Sequence, residues 1–141
     1  MITRREFTSF ATCAICAASE LISTGAIAQG TAPAATTGVT RRILSQTEGP
    51  VPGYVTIIVD GEIDPGVVVG RHTHPGIESG YIVEGNIELP IQGQPTRALK
   101  AGDAYQVPAE TPHAGGAATT TKVRFTATYV VEKGKPLASP A

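Results

Sequence analysis

The chain has 141 residues, a formal net charge of −1, and 11 Lys and Arg against 12 Asp and Glu. Charges of both signs are scattered, so no basic stripe points to nucleic acid or to an anionic membrane. There are two cysteines and no Trp, too little thiol for a disulfide-built scaffold and little aromatic bulk for the core.

Residues 1–28 read as an export signal. Thr3-Arg4-Arg5-Glu6-Phe7 resembles the twin-arginine motif. A mildly apolar run follows from Phe10 to Ile27, interrupted by Ser19, Glu20, Ser23, Thr24 and Gly25, which makes it a poor membrane span. Ala26-Ile27-Ala28 fits the small-residue cleavage pattern, with Gln29 as the first mature residue. An amphipathic N-terminal helix is the plainer alternative, but it does not explain paired arginines, apolar run and A-x-A in that order. A lipoprotein signal fits less well, because Cys13 leaves no room for an apolar segment after the arginines. Cys13 and Cys16 both leave with the signal, so the mature chain has no disulfide and no thiolate ligand. The expected location is periplasmic or secreted, with no membrane association after cleavage.

The mature part, 141 − 28 = 113 residues, is the length of one domain. A chain of that size buries roughly 60–70% of its unfolded surface, enough for one core. Arg4 and Arg5 cancel Glu6 and Glu20, so the mature charge is still −1. Gln29 to Val39 is mostly Ala, Thr, Gly and Pro and reads as a flexible leader, taken as 29–40. The folded domain is expected over 41–136, with a tail at 137–141.

Strands begin at about Arg41. Tyr54 to Asp60 is β-branched, with Val55, Ile57 and Val59 on one face. Val67 to His74 reads as one strand. Tyr81–Val83 and Ile87–Ile91 flank Glu84-Gly85-Asn86, a hairpin signal. Pro90 argues that the second of these pairs poorly at its end. Gln92-Gly93-Gln94 is another turn, and Ala104–Val107 is a short strand before Pro108. Lys122 to Glu132 alternates most cleanly. Val123, Phe125, Ala127, Tyr129 and Val131 take one face, and the other is polar apart from Val130. No segment after Ala28 sustains a helical period, so the pattern is that of an all-β sandwich or barrel.

Two of the three histidines, His72 and His74, stand two apart and therefore share a strand face. Pro75-Gly76 breaks the strand, and the turn can return Glu78 beside them. His113 ends a second turn-rich stretch, Gly102 to His113. Together these residues make a metal site of mixed N and O ligands. A lone histidine is usually structural, but three that converge with a carboxylate are not explained that way.

Gly66, His72, His74, Glu78 and Gly85 fall at the spacing G-x5-H-x-H-x3-E-x6-G, which resembles the first motif of the cupin superfamily. Gly102, Pro108 and His113 resemble the second motif, G-x5-P-x-G-x2-H-x3-N, with Glu110 in place of Gly and Ala117 in place of Asn. The first departure bears on the local turn geometry, because a Glu in a left-handed conformation costs about 1 kcal/mol or more relative to Gly. The resemblance implies a single β-barrel of the double-stranded β-helix or jelly-roll type. It also implies one divalent metal on His72, His74, Glu78 and His113. Three neutral imidazoles and a carboxylate leave such a site formally 1+, with two octahedral positions open for water, O2 or a chelating substrate.

The ligand set suits Mn, Fe, Ni, Cu or Zn. Twin-arginine export generally moves folded proteins, as that resemblance implies, so loading in the cytoplasm favours Mn or Fe. Arg71, Tyr81, Tyr105, Glu110 and Arg124 are the other polar residues near the expected pocket. Arg71 alternates out of phase with the histidines and should face away, while Tyr105 and Glu110 could touch the mouth. The functional expectation is a metal-dependent dioxygenase, decarboxylase or isomerase acting on a small oxygen-rich compound. A non-enzymatic binder of a metal or small molecule is the alternative. The expected partner is a small-molecule ligand rather than nucleic acid, and a homodimer is compatible with the sequence.

Overall fold

The computed structural model describes residues 36–116 and 120–141. The expected signal segment 1–28, most of the leader and Ala117 lie outside the described residues. Ten strands follow in chain order: β1 (Val39–Glu48), β2 (Tyr54–Ile63), β3 (Val69–Thr73), β4 (Gly76–Glu84), β5 (Asn86–Leu89), β6 (Arg97–Lys100), β7 (Ala104–Val107), β8 (His113–Gly115), β9 (Val123–Glu132) and β10 (Ser139–Pro140). All pairings are antiparallel. One sheet runs β1-β2-β9-β4-β7, a second runs β10-β3-β8, and β5 pairs with β6. The architecture is the all-β jelly roll.

The core lies on the inner face of the five-stranded sheet. β9 buries Val123, Phe125, Ala127, Tyr129 and Val131, each 7% exposed or less. β2 buries Val55, Ile57, Val59 and Ile63 in the same phase. Both strands alternate because one face meets the core and the other meets water. Strand pairs in register place their inward residues side by side, and the row Arg41, Gly61, Phe125, Ile82 crosses β1, β2, β9 and β4. Gly61 is required there: a Cβ would sit 2.2 Å from the Phe125 ring.

Two local readings are corrected. Glu84-Gly85-Asn86 does not close a hairpin, since β4 pairs with β7 and β9 while β5 pairs with β6. It is a corner at which the chain leaves one sheet for another. A corner and a hairpin both want a residue with positive φ, and Gly85 (φ 79°) serves the corner. A Cβ there would also come within 2.4 Å of the Lys122 carbonyl oxygen. The stretch Val67 to His74 is shorter as a strand, ending at Thr73, with His74 just beyond it. Past Pro136, where the sequence suggests a tail, Leu137 is buried in the core and Ser139–Pro140 pairs with β3.

Candidate metal centre

Three elements from different parts of the chain bring the histidines together. His72 lies in β3 directly opposite His113 of β8, so the two rings share a face, with centroids 4.3 Å apart. His74 follows β3 by one residue, and its ring meets that of His72 edge-on at 4.9 Å. Gly76 starts β4 immediately after Pro75, and Glu78, two residues further, points inward. Its route back is therefore a strand of the other sheet rather than a loop. Glu110 adopts φ 55°, alone among the described non-glycine residues in being left-handed, and its N–H donates to the His74 carbonyl at 2.9 Å. That bond ties the second-motif loop to the first ligand segment, which gives the strained turn a structural reason.

The donor atoms of His72, His74, Glu78 and His113 all lie within 4.8 Å of one another. His74, Glu78 and His113 are 4%, 4% and 2% exposed, and His72 is half-buried. Each imidazole faces a backbone carbonyl through Nδ1: His72 to Gly70 at 2.7 Å, His113 to Thr111 at 2.9 Å, and His74 to Leu137. A carbonyl only accepts, so each Nδ1 carries the proton and each neutral ring keeps its lone pair on Nε2. The Nε2 atoms of His74 and His113 lie 3.0 and 3.2 Å from Glu78 Oε2. The first contact is misaligned for a hydrogen bond, and His74 Nε2 is a buried nitrogen with no hydrogen-bond partner. Lone pairs of nitrogen and carboxylate cannot face each other at 3 Å in a dry site without a cation or proton between them. The orphaned nitrogen, the fixed tautomers and the converging oxygen fit a divalent ion. These four residues could hold one.

The electrostatics agree. Burial pushes the His72 imidazolium pKa down to about 4, and the neighbouring His113 and His74 add to that. His72 is therefore neutral near pH 7, the form that binds metal. Burial works to raise the Glu78 carboxyl, but positive charge on the His113 and His74 side outweighs it and holds the group well below the usual carboxylate range; with both rings neutral, a bound cation would supply that charge.

Glu78 has two further partners, and both are tyrosines. Tyr105 Oη donates to Oε1 at 2.9 Å and Tyr129 Oη donates to the same oxygen at 3.2 Å. Burial, with the Glu78 charge beside them, pushes both phenols well above the usual tyrosine range, so they remain donors. With Oε1 held by two phenols, Oε2 is turned toward the imidazoles. Tyr129 stands directly opposite Glu78 across β4 and β9. Tyr105 stands opposite Gly80 across β4 and β7, and a Cβ on Gly80 would come within 2.1 Å of the Tyr105 ring. The missing side chain lets that ring lie across β4 to reach Glu78.

The residues singled out from sequence separate cleanly. Tyr105 is in the site. Tyr81 is exposed on the outer face, Arg124 pairs with Asp60 at 3.1 Å there, and Glu110 is exposed in its loop. Arg71 is exposed and donates to Gln92. Two site residues escaped the sequence reading. Tyr129 reads as a core residue, which it also is. Arg41 reads only as the first residue of a strand; the available signal was a cation two residues from both Val39 and Ile43, in phase with apolar neighbours. His72, Glu78 and His113 line an internal cavity of about 40 Å³, which Arg41 and apolar side chains such as Ile63, Val69, Ile82 and Phe125 complete. That is space for an ion or a few waters. A wider depression of about 250 Å³ shares Arg41, Val69 and His72 with it as a neck.

Residues 57–131 match the family model described as Cupin domain. This chain belongs to the cupin family. Among solved structures, this cupin is similar to KdgF from a Halomonas species at 26% identity, covering 69% of this chain and 83% of that one, with a TM-score of 0.55. It is similar to an RmlC-like cupin from Shewanella frigidimarina at 22% identity, covering 75% and 87%, with a TM-score of 0.59. It is also similar to the DMSP lyase DddQ from Ruegeria pomeroyi at 19% identity, covering 82% and 58%, with a TM-score of 0.62. The last two show the shared fold. No curated protein matches the chain.

Proposed function

We propose that this cupin is an exported, metal-dependent enzyme acting on a small oxygen-rich organic compound. The observation that carries the reading is the convergence of three Nδ1-anchored imidazoles and one carboxylate oxygen, with His72, Glu78 and His113 lining a cavity. His72, His74, Glu78 and His113 would hold one divalent ion, with Mn or Fe favoured if it is loaded before export. Such an ion supplies Lewis-acid polarisation of a substrate oxygen, or redox chemistry if it is iron or manganese. The rest falls to the chain. The Gly70, Leu137 and Thr111 carbonyls fix the imidazole tautomers, Tyr105 and Tyr129 aim Glu78, and the apolar walls exclude water. This is the outer-shell support that metal sites need.

Among the described residues lining the cavity, every carboxylate and imidazole belongs to the cluster. The chain therefore binds and orients rather than offering a separate base, which suits dioxygenase, decarboxylase or isomerase chemistry that starts from a coordinating substrate. The same observation keeps a second reading, a binder of a metal or small molecule that turns nothing over. Export to the periplasm or medium follows from residues 1–28 and stands as part of the proposal. Metal-loaded protein should turn over a member of a panel of small enols, phenols and organic acids, followed by product analysis and O2 uptake. Tight binding across the panel with no turnover would overturn the enzyme in favour of the binder.

A further inference from the structure

Arg41 is placed unlike any other arginine among the described residues. Arg42 and Arg124 both pair with Asp60, Arg71 donates to Gln92, and Arg97 donates to the Ala104 carbonyl. Among the described residues Arg41 has no hydrogen-bond or ion-pair partner, yet it is half-buried on the inner face of β1. A guanidinium brought out of water without an anion is costly. Gly61, its neighbour across the strand pair, has no side chain to cover it. It lines the same cavity as Tyr105, Tyr129 and Glu78, so it lies within reach of the cluster.

Among the described residues lining its surroundings, Glu78 is the one counter-charge. Arg41 lines both the inner cavity and the outer depression, at the neck they share with His72. The outer depression adds Arg71 and has no carboxylate in its lining. The inner cavity has Glu78 alone, whose Oε1 accepts from two phenols and whose Oε2 is committed to the metal cluster. A cationic neck above an apolar chamber concentrates anions, and a guanidinium fork matches a carboxylate in geometry.

We propose that Arg41 is the specificity-determining residue of this site, and that it binds the carboxylate of a small organic acid whose second oxygen faces the His72–His74–Glu78–His113 cluster. The proposal rests on the metal-centre reading and names its substrate class: compact acids carrying a hydroxyl or oxo group near the carboxylate. Neutral enols and phenols fall outside it. Its rival is structural. β1 is an edge strand of its sheet, and an inward-pointing charge on an edge strand also discourages edge-to-edge pairing.

The test is calorimetric binding of lactate and oxalate, each beside its neutral amide (lactamide, oxamide), to the metal-loaded protein and to its Arg41→Gln and Arg41→Lys variants. Metal content is measured on every sample. The acids should bind wild type, and the amides should bind at least roughly tenfold more weakly, the usual worth of a charge-assisted pair. Arg41→Gln should weaken acid binding by a similar factor and abolish the preference for acid over amide. Its metal content should be unchanged, and Arg41→Lys should recover part of the loss. Equal acid affinity in wild type and Arg41→Gln overturns the proposal, as does wild type that binds neither acid. If Arg41→Gln self-associates while keeping its acid affinity, the edge-protecting role replaces it. A wild type that takes up no metal sinks the metal-centre reading instead, and Arg41 is then judged by the same acids on the metal-free protein.

Discussion

Removing the two tyrosine hydroxyls tests whether Glu78 is aimed by its neighbours. Tyr129→Phe deletes the donor at 3.2 Å from Glu78 Oε1, and Tyr105→Phe deletes the donor at 2.9 Å. Either ring still fills its place, so packing is kept. A hydrogen bond to a charged group contributes about 1.5–3 kcal/mol, but each single variant leaves the other phenol in place, so each should cost about 1–1.5 kcal/mol. The double variant strands Oε1 in a site 4% exposed and should cost more than the sum, with a coupling of about 1 kcal/mol or more. For a domain of this size, 1 kcal/mol moves the melting temperature by roughly 4 °C or more. Metal affinity should fall about 10- to 100-fold, as for other losses of outer-shell partners. Melting curves of the four proteins with chelator, followed by competitive metal titration, measure both quantities. Additive stability losses with wild-type metal affinity would refute the idea that the phenols position Glu78.

Phe125→Ala should cost roughly 3–5 kcal/mol in denaturant unfolding, because the ring is 7% exposed and seated over Gly61. Lys122→Ala on the same segment should stay within about 0.5 kcal/mol, because its 2.8 Å pair with Glu62 is solvent-exposed; equal losses would refute the register. Glu110→Gly should raise stability by about 0.5 kcal/mol, relieving the left-handed strain minus the entropy gained by the unfolded chain; a loss would show that the Glu side chain holds the turn. Metal-free protein should weaken between pH 6.5 and about 4, since folded His72 resists protonation down to about 4 while the unfolded imidazole gains its proton near 6.5. The ceiling is about 3 kcal/mol, reduced to about 1–2 by solvent reaching the half-buried ring; a flat profile for metal-free protein, or a slope kept in full by His72→Gln, would contradict it.

What was legible in the sequence was what depends on local spacing. His72, His74, Glu78 and His113 stand out because metal ligands are rare residue types at fixed separations, and the structure brings all four together. β2 and β9 are legible because an inner and an outer face impose period two on long uninterrupted strands. The supporting shell was legible only in part: Tyr105 stood out by its place in the second motif, but its role and that of Tyr129 depend on which strands pair and in what register. Tyr129 faces Glu78 only because β9 lies beside β4, and Tyr105 reaches it only because Gly80 stands opposite. The corner at Gly85 looks like a hairpin for the same reason: positive φ marks a change of direction and does not say which strand comes next.

The central claim is that His72, His74, Glu78 and His113 form a metal centre. Elemental analysis of the natively exported protein, paired with melting in the presence and absence of chelator, addresses it directly. The account predicts about one divalent ion per chain, lost in each of the three His→Ala variants and weakened in Glu78→Gln. It also predicts stabilisation of about 2.7 kcal/mol at a free metal concentration a hundred times the dissociation constant. Protein without metal, melting at the same temperature with or without chelator and indifferent to the histidine substitutions, would contradict it.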